Sequence, residues 1–162
     1  MAGEMRALGL GLIAVWLALV PTVSQAGDRH AEYYYPTPQS EETYKARART
    51  LDESGRRSRI AFVTGLTNRM LQNPYPPEFA IFAKGAEAEK LIIVAVKGDA
   101  YNTLFRMRGL LATLTAVARV TPLFQAGAVQ DFFTFFDLCK MLGFEKMTVS
   151  DGCSFAHRIN IE

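Results

Sequence analysis

The sequence predicts an α+β domain: one antiparallel sheet of about four strands, made of two hairpins, covered by about four helices. Three observations carry that expectation. Phe79–Ala83 and Leu91–Val96 are short apolar runs, rich in Ile, Val and Phe, flanking a polar link with Gly85, Glu87 and Glu89; they suit the two strands of a hairpin buried on both faces. A second pair, Glu145–Ser150 and Cys153–Ile161, is divided by Asp151-Gly152, a strong signal for a two-residue hairpin turn. The remaining chain carries apolar residues at helical spacing.

In order, Met1–Arg6 is short and basic at Arg6, Ala7–Val20 is apolar and uncharged, and Pro21 breaks the run. Ser24-Gln25-Ala26 then offers small residues at the two positions a signal peptidase inspects. A signal peptide over 1–26, cleaved near Ala26, and a periplasmic or secreted protein are the expectation. The alternative is an uncleaved anchor, since the run lies at the lower edge of what spans a bilayer. Cleavage would remove one base, Arg6, and one acid, Glu4, leaving the +2 net charge of the whole chain. So mild a balance gives no reason to expect nucleic acid as a partner.

Residues 27–39 read as an extended Tyr/Pro arm, with Tyr33, Tyr34 and Tyr35 before Pro36 and Pro38. Either one or two of the tyrosines pack on the domain, or the arm binds a partner through their large area and polar tips. A single domain then fills 40–162. Ser40, followed by Glu41, Glu42 and Thr43, resembles a helix start, giving a surface helix to about Leu51 on the thin face Tyr44, Ala48 and Leu51. Arg56–Gln72 places Ile60, Val63, Leu66, Thr67, Met70 and Leu71 on one helical face, ended by Asn73-Pro74.

After the first hairpin, Asp99 caps an expected helix over Ala100–Val120, with Leu104, Met107, Leu111, Leu114 and Ala118 inward. Gln130–Leu142 is another, densely apolar, with Thr134, Asp137 and Lys140 on its wet edge and Gly143 at its C-terminus. On the last strand Phe155, His157, Ile159 and Ile161 share a face.

Export would place Cys139 and Cys153 where a disulfide persists. It would close a loop of about 15 residues, worth roughly 3 kcal/mol in chain-entropy models; two buried thiols are the alternative. Ser150, Asp151, Ser154 and His157 lie close in sequence without a Gly-x-Ser-x-Gly elbow. His30 lies in the arm between Asp28 and Glu32 without a ligand cluster. No catalytic residue, cofactor site or metal site is assigned. The basic cluster Arg47, Arg49, Arg56, Arg57 and Arg59, interleaved with acids, reads as a solvated face or as a contact for anionic headgroups or an acidic partner.

The stretches DRHAEYYYP, FAIFAKGAEAEKLIIV and TVSDGCSFAHRINIE resemble those of a small exported bacterial family. Its members are often labelled molybdopterin-guanine dinucleotide biosynthesis protein A, and the resemblance covers nearly all of the chain after residue 26. Enzymes of that name are cytoplasmic nucleotidyltransferases of Rossmann-like fold, with a Gly-Gly-x-Ser-x-Arg-Met-Gly loop and a following lysine around GTP phosphates. Gly65, Thr67, Arg69 and Met70 echo the loop, while Thr64 and Leu71 stand where it has glycines and Asn73-Pro74 where the lysine follows. The residues themselves favour an exported, non-enzymatic accessory or interaction protein. It would meet a protein partner, a membrane-bound complex or an anionic membrane surface through Tyr33, Tyr34, Tyr35, Arg56, Arg57 and Arg59. The label implies the alternative, a nucleotidyltransferase.

Overall fold

A computed structural model of the chain describes residues 35–96, 100–119 and 134–162. The expected signal segment, His30, Tyr33, Tyr34 and the start of the expected helix at Gln130 lie outside the described residues. The elements are β1 (Ser40–Tyr44), α1 (Arg56–Leu71), β2 (Phe79–Lys84), β3 (Lys90–Ala95), α2 (Leu104–Arg119), α3 (Phe135–Met141), β4 (Lys146–Ser150) and β5 (Ala156–Ile161). The α+β class is as expected. The sheet, however, has five strands in the order β1-β5-β4-β3-β2, and three helices are found among the described residues.

Both hairpin pairs are antiparallel, β2 with β3 and β4 with β5, but β4 runs parallel to β3 and β1 parallel to β5. The expectation of a wholly antiparallel sheet fails because β3 and β4, separated in the chain by α2 and α3, run in the same direction. Lys146 therefore pairs with Lys90, start beside start, as parallel neighbours require.

The fifth strand replaces the helix expected from Ser40. Ser40, Glu42 and Tyr44 alternate with the more exposed Glu41 and Thr43, a period of two that suits an edge strand. Pairing with β5 and the side-chain bonds described below outweigh the local cap-like pattern, a tertiary override of weak propensity.

The helices cover one face. Val63 and Leu66 of α1, Met107, Leu110 and Leu114 of α2, and Phe135 and Leu138 of α3 pack on Ile81, Leu91, Ile93, Met147, Val149 and Ile159. On the opposite face Tyr35 is 3% exposed and packs with Ile92 and Ala156. β3 is thus buried on both faces, as expected, whereas β2, expected to be so too, is an edge strand whose Ala80 and Phe82 are only half-buried.

Two polar expectations are corrected. Asp137 is buried and forms a capping box with Thr134, accepting from its backbone N–H at 2.7 Å and its hydroxyl at 2.9 Å. It also takes the backbone N–H of Arg47 at 2.7 Å, so it fastens the chain after β1 to α3. The β4–β5 connection spans Asp151 to Phe155 and is not a two-residue turn. Its carboxylate accepts the N–H groups of Cys153, Ser154 and Phe155 at 2.8–2.9 Å and the Ser154 hydroxyl at 2.7 Å, an Asx-type organisation of a longer loop.

Candidate functional site: an open strand edge beside a half-covered helix

Among the described residues, strand β2 ends the sheet. The Val96 N–H donates to the Glu78 carbonyl at 2.8 Å, which sets the phase of the β2–β3 ladder. Glu78, Ala80, Phe82 and Lys84 bond inward, so Phe79, Ile81 and Ala83 turn their N–H and C=O groups to the free side. Three donors and three acceptors in a row, on a strand with no proline and only Lys84 as a charge, form a template for another strand.

Helix α1 forms the wall above that edge. Its sequence offers a broad apolar stripe, yet only Val63 and Leu66 of the expected face are buried. Ile60 stays 39% and Leu71 67% exposed. Ile60, Thr64, Thr67 and Leu71 follow helical spacing and, with β2, line two adjoining hollows of about 180 and 170 Å³. The first meets β2 over Phe79–Phe82, the second over Ile81–Lys84. Each is smaller than the roughly 300–1,000 Å³ of small-molecule and cofactor sites and matches individual side chains.

Arg59 holds this wall in place. It is 7% exposed, and its guanidinium donates to the Glu87 carbonyl at 2.8 and 3.0 Å and to the Leu142 and Gly143 carbonyls at 3.1 Å each. The last two are orphan carbonyls at the end of α3, for which arginine is a suitable partner. Gly143 suits the site twice: its φ is +78°, and a Cβ there would come within 2.5 Å of Arg59 Nη1.

A second polar cluster joins β1, β5 and α2. Ser40 Oγ and His157 Nδ1 lie 2.7 Å apart, His157 Nε2 sits 3.1 Å from Glu42 Oε1, and Arg108 donates to Glu42 Oε2 at 3.0 Å. The Nε2–Glu42 approach is a close contact outside hydrogen-bond geometry. Burial alone would raise the Glu42 pKa, but His157 and Arg108 win and hold it below the ordinary value.

Serine, histidine and glutamate are the components of a hydrolytic triad, but the arrangement differs from one. The serine meets Nδ1 and the carboxylate meets Nε2, the reverse of the Ser–Nε2, Nδ1–Asp order. The adjacent cleft of about 280 Å³ is lined by Glu42, Tyr44, Arg108 and Phe136 and not by Ser40. The cluster fastens β1 to β5. Sequence reasoning assigned Ser40 and Glu42 to a helix start and so missed it; the alternation SEETY was the available signal.

The other expected site residues are dispersed. Tyr35 is packed under the far face, while Arg56 and Arg57 are exposed at the start of α1. Arg59, expected on a solvated face, is buried. Cys139 is buried in α3 and Cys153 exposed in the β4–β5 loop, and both are free thiols; no disulfide joins them, and burial pushes the Cys139 thiol well up. His157 turns to Ser40 and Glu42, whereas Asp151 is engaged by its own loop, whose N–H groups hold its pKa down against the effect of burial. Gly65–Met70 lies inside α1, where helical bonds occupy the N–H groups that a phosphate loop presents. The chain matches no family model, no curated protein and no solved structure.

Proposed function

We propose that this chain is an exported, non-enzymatic binding protein of the cell envelope that captures a protein partner at the β2 edge and the α1 wall. One observation carries the reading: among the described residues, an apolar strand edge with no further strand beside it runs along exposed apolar residues of α1. Soluble proteins usually shorten, charge or cover such edges, and an exposed apolar surface of this kind marks an interaction site. The export expectation supports an envelope partner.

The test is site-specific photo-crosslinking in intact cells. A photoreactive residue at position 64, in the groove, is compared with one at position 145, exposed just before β4. A discrete protein adduct at 64, absent at 145 and abolished by adding Thr67→Lys, is the expected result. Equal labelling at the two positions, or labelling of cytoplasmic proteins alone, would overturn the reading.

A further inference from the structure

We propose that the cleft between α1 and α2 is a second binding site, one that takes a small organic cation: a protonated amine on an aromatic or branched apolar body. The site is separate from the β2 edge and stands whether or not that edge captures a partner. Leu66 and Met70 of α1 face Thr113 and Val117 of α2 across a cleft of about 400 Å³. Unlike the hollows along β2, its volume lies within the roughly 300–1,000 Å³ of small-molecule sites.

The apolar body of the ligand follows from the lining. Leu66 and Phe79 belong to the core and reach this cleft, so a ligand there removes core-type surface from water. The loop from Asn73 to Glu78 forms one wall. Pro74, Pro76 and Pro77 fix three of its φ angles, and the Tyr75 N–H donates to Asn73 Oδ1 at 3.1 Å. A wall held in this way loses little freedom when it is occupied.

The positive charge follows from Glu78, the one charged residue lining the cleft among the described residues. Its carboxylate accepts the Tyr101 hydroxyl at 3.1 Å, a neutral donor that leaves the negative charge in place. Burial and then that charge push the Tyr101 hydroxyl above its ordinary pKa. None of the ion pairs among the described residues involves Glu78, and Arg69 of α1 lines a different hollow. Tyr75, 76% exposed on the same wall, adds a ring whose face attracts cations. An anion would meet Glu78 with no base in the lining to offset it.

The probe is tryptamine, with tryptophol and indole-3-propionate as neutral and anionic partners of nearly the same body. Each is titrated into the folded chain at neutral pH, and the backbone amide shifts of Phe79, Thr113 and Val117 are followed by NMR. Saturable shifts at these positions are expected, with tryptamine bound about threefold or more tighter than tryptophol and the anion weakest. Salt should narrow that preference. Glu78→Gln should remove it and leave tryptophol affinity in place. Thr113→Trp, at an exposed position of α2, should fill the cleft and weaken all three about tenfold or more.

No saturable shift with any of the three, or shifts that fall elsewhere on the chain, overturns the site; this comparison uses the parent chain and depends on no variant. Equal affinities, tighter binding of the anion, or a preference for the amine that survives Glu78→Gln overturns the cationic class. Crosslinking at position 64 reads a different face of α1, so failure there and failure here are distinguishable.

Discussion

At one edge of the sheet, β1 exposes Glu41 and Thr43 and is fastened through its side chains. Asn160 donates to Glu41 at 2.7 Å, Arg108 to Glu42 at 3.0 Å, His157 bridges Ser40 and Glu42, and the Tyr44 ring stacks on Phe136 at 4.5 Å. At the other edge, β2 is apolar and ends in a single lysine beside an incompletely covered helix. Both strands lie at the margin of one sheet, so position alone does not make a docking surface. Two glutamates charge the first edge, whereas the second carries one lysine and, among the described residues, no strand beyond it.

The largest effect should follow from loosening that wall. Arg59→Met keeps the apolar stem but strips the Glu87, Leu142 and Gly143 carbonyls of their donor in a buried place. We expect a loss of about 3 kcal/mol, read from the urea midpoint at constant m-value, together with loss of the position-64 adduct. An unfolding midpoint within error of the parent would show that the guanidinium does not hold α1.

A smaller loss, about 2 kcal/mol, is expected for His157→Ala, which removes a buried ring and its contacts with Ser40 and Glu42. This change sharpens the contrast between the edges. It should detach β1 and speed amide exchange there, while the position-64 adduct at β2 stays unchanged. A matching fall in capture would mean that the two edges are coupled through the sheet.

The same contrast explains what was legible in the sequence. β2, β3, α1 and most of α2 follow from runs long enough, or periodic enough, for burial to dominate, and Met107, Leu111, Leu114 and Ala118 are indeed inward. β1 was illegible because its five residues bury little, and what orders them comes from partners more than 60 residues away, Arg108 and His157. Arg59 and Asp137 were misread for a related reason. A charged side chain on a helix reads as solvated unless the carbonyls or amides that receive it are known, and those lie in other turns. The β2 site was half visible: the stripe from Ile60 to Leu71 was read as one buried face, and only the sheet order reveals that, among the described residues, no strand lies under its outer half.

The smallest expected effect is electrostatic and confined to β1. The folded pKa of Glu42 is held below its ordinary value of 4.5. Its ionised form therefore contributes stability that is fully present above the unfolded pKa and is lost as pH falls through the folded one. Asp151 shifts in the same direction, so the fall in parent stability below about pH 4.5 belongs to both groups. Comparison with Glu42→Gln separates them. The stability gap between parent and variant should narrow as pH drops below the ordinary carboxylate range, because protonated Glu42 and Gln present similar groups to Arg108 and His157. Glu42 is partly exposed, so salt should shrink the gap as well. A gap unchanged from pH 7 to pH 3 would remove charge from the account of how β1 is closed. It would leave the His157–Ser40 bond and the Tyr44–Phe136 stack as what distinguishes that edge from β2.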